Sequence, residues 1–398
     1  MKKIALVGAV DRNNYGDLLF PIILKEWLSS KNRNLEFINY GVVSSDLTKI
    51  GAIPSKKISD LEYDGPDALI IVGGATLNSA WKFTHLHLLE NENKILLYRI
   101  LYKIIGKRNA EKLSSKILNG RSRYPWIFSK GEYKLKNCQL IYNTVSGTDF
   151  SYFSEKEKKI IANYLSEADY LSVRDPLTKM NLQDLGVGEV HMVPDSAVIM
   201  SELFPKKILK TMVSEEYKAF EKKNASKKYM VFQIGKKYSS DEKEIAKQLY
   251  KYCQEKELSL VLLPIGRAGM HEDQIPLKKI YEYCKNEIEV YLPENNTIFD
   301  TMSYIGNSEL FSGTSLHGNI TAISYCVKTV GLDNRVKKLK YFLEEYYIDS
   351  YPYAENSRHI YDELVKSDGL EIKDIIASKN RLIDLVTDHF QQLLEILD

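Results

Sequence analysis

Short apolar runs of strand length alternate with helical stretches along this chain, and this alternation constrains its fold more than any other feature. In the first half the runs lie at residues 3–10, 35–40, 68–72, 140–145, 170–173 and 190–193, and residues 18–28 show helical spacing. Continuous apolar runs are typical of strands that are buried on both faces. The pattern therefore predicts an α/β fold in which helices cover both faces of a parallel sheet.

The same alternation occurs twice, which predicts two domains facing each other across a cleft. Residues 201–228 are rich in lysine and weakly patterned, which indicates a linker or a peripheral helix, and strand-like runs return at 229–234, 258–264, 287–291, 309–311 and 327–332. A chain of 398 residues also exceeds what one hydrophobic core usually supports. We predict a first domain over residues 1–200, a linker over 201–228, a second domain over 229–371 and a terminal helix over 372–398 that could pack back on the first domain.

Composition excludes several classes of protein. Lys plus Arg (55) nearly balances Asp plus Glu (53), so bulk charge gives no indication of nucleic acid binding. The four cysteines are widely spaced and form neither a metal-ligand pattern nor a disulfide framework. No apolar run approaches the roughly 18 residues that span a bilayer, and the first apolar run is better interpreted as a strand than as a signal peptide. We expect a cytoplasmic protein with free thiols.

Residues 94–130 form a basic insert that departs from the strand and helix rhythm. The segment contains ten Lys and Arg residues but a single acid, Glu111. Apolar residues lie among these cations at helical spacing, at positions 95, 96, 100, 101, 104 and 105. Two interpretations remain open: an amphipathic helix in contact with a membrane surface, or a surface helix that docks on its own domain with a solvated basic face.

His317 lies at a glycine-flanked junction between a strand-like run and a helical pattern. A strand-like segment at 308–311 precedes Gly313, and a helical pattern begins at Ile320, so we expect His317 in a loop at the carboxyl end of a strand. Open α/β sheets bind ligands at this edge. Because imidazole titrates near neutral pH, His317 suits proton transfer. The alternative is a helix-start residue whose polar atoms are satisfied by backbone.

Two glycine-containing loops follow strands of the first half. The loop at 8–17 leads into a helix, whose unpaired N–H groups suit anions, but it lacks the G-x-G-x-x-G spacing of dinucleotide sites. Asn14 can shape the turn or bind a sugar, and Asp17 can cap the helix. Gly73 and Gly74 end another strand, where they either let backbone approach a ligand or make a tight turn.

Charged residues also follow several strands. Arg174 either holds an anionic ligand or pairs with a carboxylate such as its neighbour Asp175. Asp195 is either a helix cap or a cleft carboxylate. Lys236 and Arg267 follow two strands of the second half, and each is either a cleft residue or a surface residue.

Several familiar signatures are missing from the sequence. It contains no P-loop, no H-E-x-x-H, no G-x-S-x-G elbow and no D-x-D metal signature at a credible position. Neither a metal nor a nicotinamide or flavin cofactor is therefore indicated.

Taken together, the order of these motifs resembles the polysaccharide pyruvyl transferase family. The matching elements are Asn14 to Asp17, Gly73-Gly74, Ser172 to Pro176, Val193 to Asp195, Ser312 to Gly318 and, after the run at 327–332, the lysine-containing stretch 337–342. Five strand-end motifs in the expected order make this resemblance specific, and they cover most of the chain.

The resemblance implies two facing Rossmann-like domains of the GT-B type. It implies transfer of the pyruvyl group of phosphoenolpyruvate, as a co-substrate, to a pair of saccharide hydroxyls, which forms a ketal. The product would be a cell-surface polysaccharide, an exopolysaccharide or a lipid-linked precursor. The first domain would then bind the acceptor and the second the donor, with no cofactor and with membrane contact left open.

The resemblance also implies a set of site residues, with His317 as the catalytic one. The substrate-binding set is Asn14, Gly16, Asp17, Gly73, Gly74, Arg174, Asp195, Lys236, Arg267, Thr314, Ser315, Gly318 and Lys340. Many members carry an arginine two residues before the motif histidine, where this chain has Ser315, so the donor's anionic groups require other cations. The candidates are Arg174, Lys236, Arg267 and Lys340. Two alternatives remain: a GT-B glycosyltransferase that uses a nucleotide sugar, and a saccharide-binding member without catalysis.

Overall fold

Two parallel sheets form the frame of the protein, in a computed structural model that describes residues 1–89, 91–269 and 271–398. The first sheet contains β1 (Lys2–Val7), β2 (Leu35–Gly41), β3 (Ser55–Lys57), β4 (Ala68–Ile71), β5 (Gln139–Val145), β6 (Tyr170–Val173) and β7 (His191–Met192). The second contains β8 (Tyr229–Gln233), β9 (Ser259–Leu262), β10 (Val290–Tyr291), β11 (Leu310–Gly313), β12 (Lys328–Leu332) and β13 (Tyr353–Ala354). Neighbouring strands of both sheets run parallel, which confirms the predicted α/β fold.

Each sheet has one point at which the strand order reverses. The order is β3-β2-β1-β4-β5-β6-β7 in the first sheet and β10-β9-β8-β11-β12-β13 in the second. The chain therefore leaves β1 and β4 in opposite directions, and it does the same at β8 and β11. A crevice opens outside the carboxyl ends of the strands at such a switch point.

Helices cover both faces of the sheets. In chain order they are α1 (Tyr15–Lys31), α2 (Leu61–Asp64), α3 (Trp81–His87), α4 (Glu92–Ile117), α5 (Glu155–Leu165), α6 (Pro176–Asp184), α7 (Met200–Leu203), α8 (Lys206–Met212), α9 (Glu215–Lys223), α10 (Glu242–Glu255), α11 (Gln274–Cys284), α12 (Ile298–Gly306), α13 (Leu316–Ser324), α14 (Lys337–Tyr346), α15 (Ile360–Ser367) and α16 (Ile372–Leu397). Within the described ranges, none of them combines the length and apolarity needed to cross a bilayer.

Several elements differ from the sequence expectation. The edge strands β7 and β10 have only two residues each, so they are shorter than the predicted runs at 190–193 and 287–291. Residues 201–228, expected as a linker or a peripheral helix, contain two helices, α8 and α9, whose Leu209 and Phe220 are buried. The basic insert is helical only as far as Ile117, and α4 is broken at Gly106, where φ is 76°.

One hydrophobic core joins the two sheets. It contains residues of β1 and β8 together with the facing sides of α1, α13 and α16. Tyr15 of α1 and Thr321 of α13 share a hydrogen bond of 2.8 Å between their hydroxyls. The terminal helix α16 lies against the first sheet, where Gln139 Nε2 donates to Ile396 O at 2.6 Å. The shared core fixes the position of one sheet relative to the other.

Candidate functional site

A cavity of about 370 Å³ lies between the carboxyl edges of the two sheets. Its walls come from the loops that follow strands on both sides of the two switch points, and they include Asn14, Asp17, Gly74, Arg174, Gly235, Gly266, Thr314, Ser315 and His317. A larger depression of about 490 Å³ opens on the surface at residues 347–381, and no histidine lines it. The cleft between the sheets is therefore the candidate site.

His317 lies in the first turn of α13, not in the loop that the sequence suggested. The helix begins because Ser315 Oγ accepts a hydrogen bond from Gly318 N at 3.1 Å, which satisfies one of the unpaired donors of the first turn. Gln233 Oε1 holds the preceding loop by accepting from Ser315 N at 2.8 Å and from the Thr314 hydroxyl at 3.2 Å. The junction is thus fixed by the Gln233 side chain of β8, the strand next to β11, and by the Ser315 cap.

Packing of the His317 ring fixes the direction in which it points. The ring stands at 85° to the Phe20 ring with centroids 5.3 Å apart. It also lies so close to Gly16 that a Cβ on this residue would be 1.9 Å from His317 Nδ1. Helix α1 of the first domain therefore forms one wall of the imidazole site.

The Nε2 edge of the imidazole lies next to a buried carboxylate. His317 Nε2 lies 3.4 Å from Asp195 Oδ2, and Arg174 Nη1 donates to the same oxygen at 2.5 Å. Ala197 N donates to the second oxygen at 3.0 Å, so Asp195 also caps a short 3₁₀ turn. Burial alone would raise the pKa of Asp195, but His317 and Arg174 outweigh it and hold that pKa well below its usual range.

The loops of the first domain approach His317 closely. Asn14, not Asp17, is the N-cap residue of α1, and its Nδ2 donates to Asp17 Oδ2 at 2.7 Å. Gly73 and Gly74 have φ values of 132° and 87°, which residues with a Cβ rarely adopt. The glycines thereby bring the turn after β4 beside Phe20 and Asp17.

Lysine and arginine side chains enter the cleft from both domains. Arg12, Lys237 and Lys338 line it along with Arg174. Arg12 is buried and pairs with Asp11 Oδ1 at 2.7 Å. Solvent reaches Lys338, but protein surrounds its ammonium inside the cleft, and this enclosure together with Arg174 lowers the pKa of Lys338.

None of these three cations was among the predicted site residues, although Lys237 adjoins Lys236, which was. Lys338 lies in the stretch 337–342 that the family resemblance indicated, but the choice among its lysines depends on the phase of α14. Arg12 lies in the first loop, where the side chain is brought into the cleft by its contact with Asp11.

A buried carboxyl group, Asp273, was also missed. Asp273 Oδ2 accepts hydrogen bonds from Gln233 Nε2 at 2.8 Å, from Gly266 N at 2.8 Å and from Ile265 N at 3.1 Å. Burial raises the pKa of Asp273 to about 6, although these hydrogen bonds offset part of the effect. The cleft therefore contains a carboxyl group that exchanges a proton near neutral pH.

Two further histidines face each other across the domain boundary. His87 and His271 line the cleft with ring centroids 5.8 Å apart. Burial lowers the pKa of His87 to about 3 and that of His271 to about 4. Both rings are thus neutral at pH 7 and can donate and accept hydrogen bonds. In the described part of the chain, no group of three or more His, Cys, Asp or Glu residues is arranged to hold a metal ion.

Seven residues of the expected set do not line the cleft. Gly16 and Asp195 contact His317, Gly73 lies beside Phe20, and Gly318 donates to Ser315. The other three, which are cations, lie outside the cleft. Lys236 is exposed at its rim, where it pairs with Glu92 and with Glu272. The Arg267 guanidinium turns away and donates from Nη2 to Pro293 O at 3.1 Å and to Asn296 Oδ1 at 2.9 Å.

Lys340 is the third of these residues, and it lies 4.0 Å from Glu344 on the outer side of α14. Of the four cations proposed for the donor, the structure brings only Arg174 beside His317.

Comparison with known families gives one match over most of the chain. The model of the family described as polysaccharide pyruvyl transferase matches residues 14–335. This range begins at Asn14 and ends after β12, so it includes most of the residues that line the cleft, while Arg12 and Lys338 lie just outside it. No curated protein sequence matches the chain significantly.

Solved structures share the fold at low sequence identity. A putative UDP-N-acetylglucosamine 2-epimerase from Listeria monocytogenes superposes with a TM-score of 0.57 at 13% identity, covering 98% of both chains. The UDP-GlcNAc 2-epimerase from Neisseria meningitidis, bound to UDP-GlcNAc, gives 0.57 at 10% identity, with 99% of this chain and 100% of that chain covered. A trehalose 6-phosphate synthase from Burkholderia multivorans gives 0.51 at 10% identity over 100% and 99% of the two chains. These likenesses show the GT-B type of architecture.

Proposed function

The chain belongs to the polysaccharide pyruvyl transferase family, and on this basis we propose that it transfers the pyruvyl group of phosphoenolpyruvate to two hydroxyls of a saccharide, as a ketal. The observation that supports this reaction most directly is the His317 imidazole, 3.4 Å from the buried Asp195 carboxylate and open to a cleft with several cations. The family supports a transferase that acts on polysaccharide. The donor and the ketal chemistry are our proposal.

The reaction requires one proton to be added to carbon, one proton to be lost from each of two hydroxyls, and one phosphate to leave. A proton added to the methylene carbon of the enol turns it into a methyl group and leaves an oxocarbenium-like centre at the neighbouring carbon. One sugar hydroxyl adds to this neighbouring carbon and loses its proton, which replaces the proton used to form the methyl group. The bond to phosphate then breaks, and the second hydroxyl adds as its proton leaves with the phosphate.

His317 is placed to move the first of these protons. Asp195 is held by Arg174 and lies 3.4 Å from His317 Nε2, so it orients the ring for this transfer. Asp273 lines the same cleft, where Gln233 links it to Ser315, and its pKa of about 6 suits it to exchange the second proton. General acid–base catalysis of this kind typically contributes about 100- to 10,000-fold in rate.

Other cations replace the arginine that many family members carry at the position of Ser315. Phosphoenolpyruvate has a carboxylate and a phosphate that need positive partners during bond cleavage. Lys237 and Lys338 of the second domain line the cleft on the side of Ser315. We assign the donor to these two lysines and the saccharide to the polar loops of the first domain, with Asn14 and Asp17.

A comparison of two single variants tests the role of His317. Phosphate release from phosphoenolpyruvate is measured with a panel of saccharide acceptors until one supports turnover. With this acceptor, His317→Ala is expected to be about 100- to 10,000-fold slower because it removes the proton-transfer group. His359→Ala removes an exposed histidine and serves as the control. Near-normal turnover by His317→Ala would refute the assignment.

A glycosyltransferase that uses a nucleotide sugar is the second candidate, and the solved structures of the same fold favour it, since one contains UDP-GlcNAc. Ligand-induced stabilisation distinguishes the two candidates, because a ligand at about 100 times its Kd stabilises the folded state by about 2.7 kcal/mol. We expect phosphoenolpyruvate to raise the Tm and UDP to leave it unchanged. The reverse result would favour the glycosyltransferase, and stabilisation by a saccharide alone would favour a binding protein without catalysis.

A further inference from the structure

The first half of α4 has two apolar faces, and only one of them is covered. Ile95 and Tyr102 are buried in a small core shared with α3. On the opposite side Leu96, Leu97, Ile100 and Ile104 are exposed, with 58%, 63%, 51% and 77% of their surface accessible. Helical geometry places these four residues on one face. We call this surface the α4 face.

Positive charges border the α4 face. Lys94, Arg99 and Lys103 are exposed beside it, and none of them forms an ion pair with any residue that the structure describes. The acid at the start of the helix, Glu92, is neutralised by Lys236 of the second domain. The surface therefore combines an exposed apolar stripe with uncompensated positive charge.

We propose that the α4 face docks on the surface of a membrane that contains anionic lipid. An apolar stripe flanked by Lys and Arg is the pattern of a helix that lies in the interfacial plane, where its apolar residues enter the acyl boundary and its cations meet the headgroups. Each such cation contributes about 1 kcal/mol of attraction to an anionic surface.

A second copy of the chain is a poorer occupant of this surface. A stable protein interface buries about 800 Å² on each partner, whereas the α4 face is four side chains on one helix. Two copies meeting there would also bring Arg99 and Lys103 of both chains to the same seam. Like charges repel, and the described part of this surface offers no free acid to compensate them.

The α4 face lies close to the cleft. His87, at the end of α3, lines the cleft, and α4 begins five residues later at Glu92, which reaches Lys236 on the rim. A membrane held by this face would therefore lie beside the cleft mouth. Delivery of a membrane-borne saccharide to the cleft is a consequence that rests on the proposed function, whereas lipid binding does not.

Flotation of the full chain with vesicles tests the proposal. Vesicles of phosphatidylcholine alone are compared with vesicles containing about 30% phosphatidylglycerol at about 50 mM salt, where surface charges are weakly screened. We expect the chain to float only with the anionic vesicles. The paired substitution Arg99→Gln and Lys103→Gln should weaken binding about 30-fold, since two cations are removed.

Substitutions in the apolar stripe provide an independent arm. Leu97→Ser with Ile104→Ser should weaken binding about tenfold or more by removing buried apolar surface. The matched control is Ile376→Ser with Leu385→Ser, which removes two exposed apolar side chains from α16. Because all of these side chains are exposed, the Tm should change little. If the Leu97→Ser, Ile104→Ser variant does not fold, the Arg99→Gln, Lys103→Gln variant alone tests the proposal.

Three results would overturn the proposal. The first is that the wild-type protein does not float with anionic vesicles. The second is that the Arg99/Lys103 and Leu97/Ile104 variants bind these vesicles as strongly as the wild type does. The third is a dimer, seen by sedimentation equilibrium, that the Leu97→Ser, Ile104→Ser substitutions dissociate, because it would make a second copy the occupant. The measurement uses no substrate, so its failure and that of the pyruvyl transfer reaction are distinguishable.

Discussion

His317 occupies a space that exists only because residue 16 lacks a side chain. The position that a Cβ on Gly16 would take is 1.9 Å from His317 Nδ1, far inside any normal contact. The constraint comes from two helices of different domains, α1 and α13, which approach each other at this point. Position 16 therefore requires glycine because of the nearby His317 ring, and not because of the backbone conformation of α1.

Substitution of Gly16 by alanine tests this contact. In Gly16→Ala the imidazole must move away from Asp195, so we expect at least a 100-fold loss of turnover and an overpacking cost of about 1–3 kcal/mol. Steady-state kinetics and urea unfolding measure the two effects. Gly188→Ala is the control, since no atom lies within 4 Å of its added methyl group. An unchanged kcat in Gly16→Ala would show that the ring position is not critical.

The partner of Arg174 follows from local backbone geometry. Asp175 has extended φ and ψ angles, so its side chain points away from that of Arg174 and caps α6 by accepting from Thr178 N at 2.7 Å. Arg174 turns instead to Asp195, which is remote in sequence. The sequence predicted a carboxylate such as Asp175 as one possible partner of Arg174, and the structure shows that the partner is Asp195.

At the scale of elements, α16 connects the end of the chain to the first sheet. Its buried His389 donates from Nε2 to Asn143 Oδ1 at 2.8 Å, and its Nδ1 lies 3.0 Å from the Tyr170 hydroxyl. Asn143 Nδ2 in turn donates to Ser196 Oγ, next to Asp195. Hydrogen bonds through His389, Asn143 and Ser196 thus connect the terminal helix to the residue next to Asp195.

His389 makes the stability of this contact depend on pH. Burial lowers the pKa of His389 to about 3, below the value of about 6.5 for an unfolded histidine. The unfolded state therefore binds more protons below pH 6.5, and the contribution of the neutral ring is lost as pH falls from 6.5. Between pH 7.5 and pH 5 the loss is about 2 kcal/mol.

We predict that His389→Gln removes this part of the pH dependence. Urea unfolding at the two pH values should show a decline that is about 2 kcal/mol smaller in the variant than in the wild type. His359→Gln, at an exposed position, should keep the wild-type decline. Equal declines in His389→Gln and the wild type would show that His389 is not held neutral by the fold.

The phase of α14 decides which lysine reaches the cleft. Lys338 points into the cleft, whereas Lys340 faces Glu344 on the outer side. Residues two apart on a helix do not share a face. The sequence indicated the correct stretch. Which of its lysines faces the cleft depends on how the helix is rotated about its axis, and burial of Leu339 and Phe342 sets this rotation.

At the scale of the whole molecule, the two sheets share one core. Phe390 of α16 packs against Trp27 of α1 with ring centroids 5.3 Å apart, and both belong to the cluster that also contains residues of β8. Because this core crosses the boundary between the sheets, neither can unfold without exposing apolar surface of the other. We therefore predict a single unfolding transition.

Fluorescence and circular dichroism provide separate probes for this prediction. The three tryptophans, Trp27, Trp81 and Trp126, lie in the first domain, so their fluorescence reports that part, while far-UV circular dichroism reports the whole chain. The two urea curves should coincide in the wild type and, at lower urea, in Phe390→Ala, which should cost about 3–5 kcal/mol. Separate midpoints for the two probes would contradict a shared core.

The sequence by itself determined the architecture and the loops that line the cleft. Alternating strands and helices, and motifs at strand ends, depend on local patterns, and the carboxyl edges of parallel strands always meet on one side. Tertiary structure alone decided the side chains that act together. The Asp195 contact of His317, the space at Gly16 and the choice of Lys338 over Lys340 join residues from different elements, so they depend on the packing of the two sheets about one core.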